Sequence, residues 1–465
     1  MNRKTSHHVS LRPRDIILLL RTLCIPMQLG VFAALWELMQ PKIKIYAQTS
    51  ILLLVIYMLV LIWLHSTYES LRVGHVRVVT LCTSQLLTLL LGDTFLFLLC
   101  TLSIRQLPSI PVFVLVFFLQ FILSVIWCLL ANKVYYSMTS NKQAAIVHFR
   151  ESDLQDLLEV CHSKNHYDVL CTLDASSPNL SYDDVIGQIS SAQAVFLGDI
   201  PNDLQALIIR YCVEHHKSVI IHPGFQSVML STARCRFLSN KPTLEFALRT
   251  PSFFHHFCKR TMDITVSALM LLVTSPILAA VALLVHFQDG GPALYRQMRL
   301  TKNGRVFELL KFRSMRIDAE KDGKPRLAAQ NDDRITRVGK FIRATRLDEL
   351  PQLWNILKGD MSLVGPRPER PEIAEQYSRE IPEFNIRLQV KAGLTGYAQV
   401  HGKYNTTPQD KLKMDLMYIS MQSIALDIKL ILQTLQIMLR KESTEGINAD
   451  QNTALRGSND KSRSA

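Results

Sequence analysis

The chain has 465 residues, of which 48% are hydrophobic and 20% charged, and carries a formal net charge of +13. Its apolar residues concentrate in long runs near the start and in one isolated run past residue 260, which excludes an ordinary water-soluble globular protein. With such runs present, the positive balance points to an anionic membrane surface or a phosphate-rich substrate and away from nucleic acid.

Four stretches, at about 15–38, 49–65, 79–103 and 109–130, are long and apolar enough to span a bilayer, giving an integral membrane protein with an N-terminal four-helix transmembrane bundle over 1–131. The first is not read as a cleavable signal, since no small-residue cleavage site follows it and three more apolar stretches do. Arg3, Lys4, Arg12 and Arg14 place the N-terminus in the cytoplasm, and four crossings return the chain there. The loop charges agree only in part, because Lys42 and Lys44 fall on the expected outer side while Arg72 and Arg77 fall on the inner. Nine cysteines (Cys24, Cys82, Cys100, Cys128, Cys161, Cys171, Cys212, Cys235 and Cys258) are scattered without a C-x-x-C pair, and are read as small buried hydrophobes in a reducing compartment.

Residues 132–250 read as a Rossmann-like α/β cytosolic domain. Strands are expected at Ala144–Phe149, Tyr167–Leu173, Ala194–Leu197 and Ser218–His222, with helices at Leu154–Cys161 and Pro201–His216. The turn after Phe149 reads Arg150-Glu151-Ser152 and lacks the G-x-G-x-x-G loop that admits a pyrophosphate, so the domain is assigned to structure, regulation or self-association, with a two-fold homodimer as the expected arrangement.

A catalytic domain is expected over 251–440, followed by a disordered polar tail at 441–465. Its apolar segment, about 259–287, has Lys259 and Arg260 before it and Arg296, Arg299, Lys302 and Arg305 after it, so both flanks favour the same membrane face. Ser275 and Pro276 stand in its middle. Proline removes a helical hydrogen bond and its ring collides with the carbonyl of Leu272, so a break is expected there, with the Ser275 hydroxyl or a buried protein contact as a partner for the freed backbone group. The expected result is a re-entrant helical hairpin; the alternative is a kinked fifth span, which would carry everything after residue 290 outside the cell.

Between 296 and 370 the chain is dense in arginine, whose planar fork suits phosphate, although many of these residues also fit a solvated basic face near anionic lipid. Arg367 stands apart, stiffened between Pro366 and Pro368, and is assigned to phosphate together with Lys311, Arg313 and Arg346. In Arg346-Leu347-Asp348-Glu349-Leu350-Pro351, Asp348 reads as the N-cap of a helix with Pro351 in its first turn. A helix N-terminus also attracts phosphate, and an Asp beside Glu349, Mg²⁺ and arginines is equipped to attack phosphorus.

The order of Lys259-Arg260-x-x-Asp263, Ser275-Pro276, Gly291-Pro292, Arg296-Gln297-x-Arg299, Asn303-Gly304, Lys311-Phe312-Arg313-Ser314-Met315, Arg337-x-Gly339, Leu347-Asp348-Glu349-Leu350-Pro351-Gln352, Gly359-Asp360-Met361-Ser362-Leu363-Val364-Gly365-Pro366-Arg367-Pro368 and Gly393-Leu394-Thr395-Gly396 resembles the bacterial sugar transferases, the polyprenyl-phosphate sugar-1-phosphate transferases. The whole chain is similar to their larger members, such as undecaprenyl-phosphate galactose and glucose phosphotransferases. The resemblance implies a mainly α, monotopic catalytic domain with a re-entrant hairpin. It also implies Asp348 as nucleophile, Glu349 assisting with Mg²⁺, a UDP-sugar and undecaprenyl phosphate as substrates, and release of UMP. The place implied is the cytoplasmic face of a bacterial inner membrane, with downstream glycosyltransferases of capsule, exopolysaccharide or lipopolysaccharide O-antigen assembly as partners. Ala392, Tyr397, His401 and Thr301 depart from the usual residues, which bears on sugar choice and loop shape. Two rivals to this reading are a single-displacement transferase and a non-catalytic membrane scaffold.

Overall fold

The computed structural model describes residues 13–39, 47–139, 141–163, 167–177, 182–231, 233–238, 241–245, 252–316, 334–402 and 406–438. The expected tail at 441–465 lies outside them. The chain divides into two compact units, Met1–Gly224 and Phe225–Ala465.

In the first unit, α1 (Pro13–Met39), α2 (Ala47–Thr67), α3 (Val78–Ile104) and α4 (Ile110–Met138) are each long and apolar enough to cross a membrane. Their outward side chains include Leu52, Trp63, Leu102 and Phe118, while Gln28, Gln85, Gln120 and Ser124 are buried. This inverted pattern suits lipid as the surrounding solvent, where buried polar groups must satisfy one another. Gln28 Nε2 donates to Gln85 Oε1 at 3.0 Å and to Ser124 Oγ at 2.9 Å, and Gln120 Nε2 donates to the Gln28 carbonyl at 2.9 Å.

The same unit continues through β1 (Lys142–His148), α5 (Glu151–Ser163), β2 (Tyr167–Asp174), α6 (Tyr182–Ile189), β3 (Ala194–Leu197), α7 (Asn202–Glu214) and β4 (Ser218–Ile221). The strands are parallel in the order β2-β1-β3-β4. Because both sheet faces are covered, β1 and β3 read as unbroken apolar runs. Leu157 and Cys161 of α5 pack on Ala144, Ile146 and Phe196, while Val185, Ile189, Ile208 and Cys212 of α6 and α7 cover Val147, Val195 and Leu197. Helix α6 was not among the expected elements, since Tyr182-Asp183-Asp184 masks a two-turn amphipathic stretch. Five of the nine cysteines are buried, Cys82, Cys171 and Cys258 are half-buried, and Cys235 is exposed.

The second unit begins with α8 (Phe225–Ser231), whose Phe225 and Met229 pack on its core, so the division falls 26 residues before the expected start at 251. A hairpin of β5 (Arg234–Leu238) and β6 (Lys241–Glu245) precedes α9 (Phe253–Asp289). Then follow the antiparallel pair β7 (Leu294–Leu300) and β8 (Val306–Phe312), α10 (Arg337–Ala344), α11 (Gln352–Lys358), β9 (Ser362–Val364), α12 (Pro371–Glu380), β10 (Gly393–Thr395), α13 (Tyr397–His401), α14 (Pro408–Met421) and α15 (Ile424–Met438). The unit is mainly α, as expected, with three two-stranded sheets in addition among the described residues.

The expected break at Ser275-Pro276 is corrected: α9 runs from Phe253 to Asp289 with Pro276 inside it. Pro276 leaves the Leu272 carbonyl without its backbone donor, and Ser275 Oγ donates to that carbonyl at 2.8 Å, which compensates the lost bond. Both arms of α9 are tied to one unit. In the first, Lys259 pairs with buried Asp427 at 2.7 Å, Arg260 donates to the carbonyls of Ile356 and Leu357 at 2.7 and 2.6 Å, and Asp263 accepts from Ser362 Oγ and Leu363 N. In the second, Val281 and Val285 pack with Phe312 and Ile342. Leu271 still touches the main core and Leu278 the second cluster, so only residues 272–277 lie between the arms. α9 as a whole is also long and apolar enough to cross a membrane, and Leu269, Leu272, Val273, Leu283 and Leu284 are exposed along it.

Candidate active site

Three segments converge on one side of the second unit: the end of β8 with Lys311, the 3-10 turn Leu347–Glu349 between α10 and α11, and the Pro366-Arg367-Pro368 loop after β9. The turn exists because Arg346 adopts a left-handed conformation (φ 56°, ψ 18°), which reverses the chain after α10. Asp348 is therefore inside a 3-10 turn. The residue capping α11 is Pro351, which corrects the expected N-cap at Asp348. Two side chains fix the frame around this turn. Asn355 of α11 donates to the Glu308 carbonyl at 2.7 Å and accepts from Leu310 N at 3.0 Å, tying the helix that follows the dyad to β8. Thr336 caps α10 by accepting from Gly339 N at 2.9 Å, and a Cβ on Gly339 would fall 1.9 Å from the Ser314 carbonyl oxygen, so only glycine permits this approach.

The two carboxylates of the dyad differ in their surroundings. Glu349 Oε1 accepts from Arg367 Nη2 at 2.8 Å and lies 3.6 Å from Lys311 Nζ. Burial pushes the Glu349 carboxyl up, but Arg367 and Lys311 outweigh it and hold it far below the usual carboxylate range. Asp348 accepts no hydrogen bond among the described residues, and burial, reinforced by the Glu349 charge, pushes it up to about 6. Burial also pulls Lys311 below the ordinary lysine range, with Glu349 opposing. The pair thus consists of one glutamate held by cations, with its carboxyl shifted down, and one open aspartate whose basicity is raised.

Arg367 is placed by its backbone. Buried Arg387 donates to the Arg367 carbonyl at 2.9 Å and pairs with buried Asp415 at 2.7 Å, while Arg299 donates to the Pro368 carbonyl at 3.0 Å. Gly365 lets the two loops approach, since a Cβ there would meet the Lys391 carbonyl at 2.3 Å. These supports fix the guanidinium's origin at little entropic cost to the site.

Residues 254–441, which contain every element of this site, match the family described as bacterial sugar transferase. A UDP-glucose:undecaprenyl-phosphate glucose-1-phosphate transferase of Caulobacter vibrioides (strain ATCC 19089 / CIP 103742 / CB 15) is 41% identical over 191 residues, covering 40% of this chain and 71% of that protein. The chain belongs to the bacterial sugar transferase family. Galactosyl transferase CpsE of Streptococcus agalactiae serotype III (strain NEM316) is 37% identical over 256 residues, 52% of this chain and 54% of that protein. A UDP-N-acetylgalactosamine-undecaprenyl-phosphate N-acetylgalactosaminephosphotransferase of Aeromonas hydrophila is 41% identical over 192 residues, 41% of this chain and 45% of that protein. The chain thus spans about half the length of these last two relatives.

Within this member of the bacterial sugar transferases, Asp348, Glu349, Lys311 and Arg367 come together as a single group, and Arg346 lies close enough for its charge to act on Glu349. Arg313 does not join them. It is buried and donates to the Val285 carbonyl at 3.3 Å, which ties the end of β8 to the second arm of α9. Arg387, Asp415 and Asn355 were missed as site supports, because lone polar residues in sequence carry no sign that they will be buried together. Among the described residues no three His, Cys, Asp or Glu side chains form a metal cage. Mg²⁺ commonly uses one or two carboxylates plus substrate phosphates, and the open Asp348 carboxylate, within reach of the Glu349 charge, fits that habit.

Proposed function

We propose that this protein transfers a hexose-1-phosphate from a UDP-sugar to undecaprenyl phosphate, through an aspartyl-phosphosugar intermediate, with release of UMP. The observation that carries the reading is the asymmetry of the dyad: Glu349 is held by Arg367 at 2.8 Å and neighboured by Lys311, whereas Asp348 has no hydrogen-bond donor on it among the described residues. A carboxylate nucleophile must be ionised, accessible and more basic than usual, and Asp348 meets these conditions near neutral pH.

The Asp348 carboxylate attacks the sugar-bearing phosphorus, the bond to the bridging oxygen of UMP breaks, and UMP leaves with that electron pair. A phosphate oxygen of the polyprenyl carrier then attacks the same phosphorus and expels Asp348 as a free carboxylate. Arg367 and Lys311 hold Glu349 charged and supply positive potential where the phosphates gather. Mg²⁺, held by Asp348 and Glu349 with the substrate's phosphate oxygens, would neutralise phosphate charge when bound.

In this reading both flanks of α9 face the cytoplasm, with residues 272–277 dipping toward the acyl chains and the site at the inner surface of the bacterial membrane. Support comes from the contacts of both arms with one unit and from the exposed Leu272, Val273 and Ile277 between them. The product, a lipid-linked sugar diphosphate, would feed the glycosyltransferases that extend a capsule, exopolysaccharide or O-antigen. The relatives' names carry different sugars, glucose, galactose and N-acetylgalactosamine, so the sugar itself is best found by incubating membranes with a panel of labelled UDP-sugars and extracting the lipid. Label in the lipid fraction from one UDP-sugar supports the reaction. No lipid-borne label from any of them, with folded protein, counts against it.

A further inference from the structure

The proposed reaction leaves one aromatic-lined cleft of the first unit unused. A cavity of about 280 Å³ lies between the end of α4 and the sheet edge where β1 and β2 begin. Its walls include Tyr135, Tyr167 and Phe196, and its polar groups include His75, Thr139 and Lys142. Tyr167 meets Phe196 edge-on with centroids 5.0 Å apart, and His75 meets Tyr135 at 6.0 Å, so the walls are stiff aromatic surfaces. None of the lining residues is acidic. Lys142 is exposed and has no carboxylate partner among the described residues.

The position of this cavity narrows the choice of ligand. Helix α4 has 29 residues, about 43 Å at the helical rise, against a hydrocarbon core of ~30 Å, so its last turns project into the headgroup layer. Tyr135 and Thr139 stand on that projection, and His75 lies in the α2–α3 turn at the same end. Hydroxyl donors and a lysine around aromatic walls at headgroup depth match a phosphodiester with its glycerol. The volume falls at the lower limit of small-molecule sites, which run from about 300 Å³, and leaves no room for a nucleotide-sugar.

We propose that this cavity binds the headgroup of an anionic phospholipid, with Lys142 as counter-ion, the Tyr167 hydroxyl as donor, and Tyr135 and Phe196 against the glycerol. The site would moor the α/β sheet to the membrane surface and is independent of the transferase reaction.

The test is native mass spectrometry of the full chain in detergent, with phosphatidylglycerol and phosphatidylcholine added separately. Wild-type protein should retain phosphatidylglycerol in preference to phosphatidylcholine. Lys142→Gln should reduce that retention about fivefold and Lys142→Glu should abolish the preference. Tyr167→Phe, which removes one hydroxyl and keeps the wall, should weaken retention without altering the circular dichroism spectrum. Equal retention of both lipids by the wild type, unchanged retention in Lys142→Glu, or displacement of the lipid by millimolar inorganic phosphate would each overturn the assignment, the last by giving the cavity to a free anion.

Discussion

Removing the charge of Glu349 should make Asp348 a weaker base. In the folded protein burial and the Glu349 charge together push Asp348 up to about 6, so its ionised fraction falls from about 90% at pH 7 to about 10% at pH 5. Because the nucleophile must be charged, the rate of the first displacement is near full from about pH 7, half at about pH 6, and falls below that by about tenfold per unit. Glu349→Gln removes a like charge. A unit charge at ~6 Å in an effective dielectric of about 20 is worth about 2.8 kcal/mol, or about two pH units, and partial exposure reduces this to about one. The acid limb should therefore move down by about one unit, even though the maximal rate falls with the loss of Arg367's partner. Arg367→Gln removes an opposing cation and should move the limb up. The assay must isolate the first step, since a phosphate monoester such as the carrier has its own second pKa near ~6. Single-turnover release of UMP from UDP-sugar, without lipid acceptor, does so. An acid limb near the ordinary aspartate value in the wild type, or one unmoved in Glu349→Gln, would refute this account of the dyad.

Asp348→Asn should abolish transfer while leaving thermal stability nearly unchanged, because the carboxylate accepts no hydrogen bond among the described residues; more than a few per cent residual turnover would remove Asp348 as nucleophile. Lys259→Met leaves Asp427, which is 0% exposed, without its counter-charge, and should cost about 3–5 kcal/mol in thermal or denaturant unfolding of the detergent-solubilised protein. In a background free of native cysteines, His256→Cys and Lys302→Cys should both resist an impermeant thiol reagent applied outside the cell, whereas labelling at 302 alone would establish a fifth crossing. A chain beginning at Phe225 should keep detectable transferase activity in lipid particles. One beginning at residue 251 should be less stable, since it lacks Phe225 and Met229 from the core.

Local chemistry is legible in the residues themselves. Long apolar runs announce α1 to α4 and α9, and the parallel strands β1 and β3 follow from continuous apolar stretches between turn residues. The Asp348-Glu349 pair, Lys311 and Arg367 stood out by residue type and by the stiffness of two flanking prolines. What stayed hidden depends on tertiary placement. Arg313 looks like any other arginine of its stretch until β8 buries it under Val285. The unequal states of Asp348 and Glu349 arise from which of the two the Arg367 side chain reaches, a choice that adjacent positions in sequence do not reveal.

The central claim is that Asp348 carries the phosphosugar. Full-length protein in lipid particles free of polyprenyl phosphate should be mixed with UDP-sugar labelled in the sugar, quenched, digested and mapped by mass spectrometry. The account predicts one equivalent of phosphosugar on the peptide bearing Asp348, formed together with UMP and discharged on adding undecaprenyl phosphate. If UMP appears only when the lipid acceptor is present, with no adduct at any time, the lipid phosphate attacks directly and Asp348 is not the nucleophile.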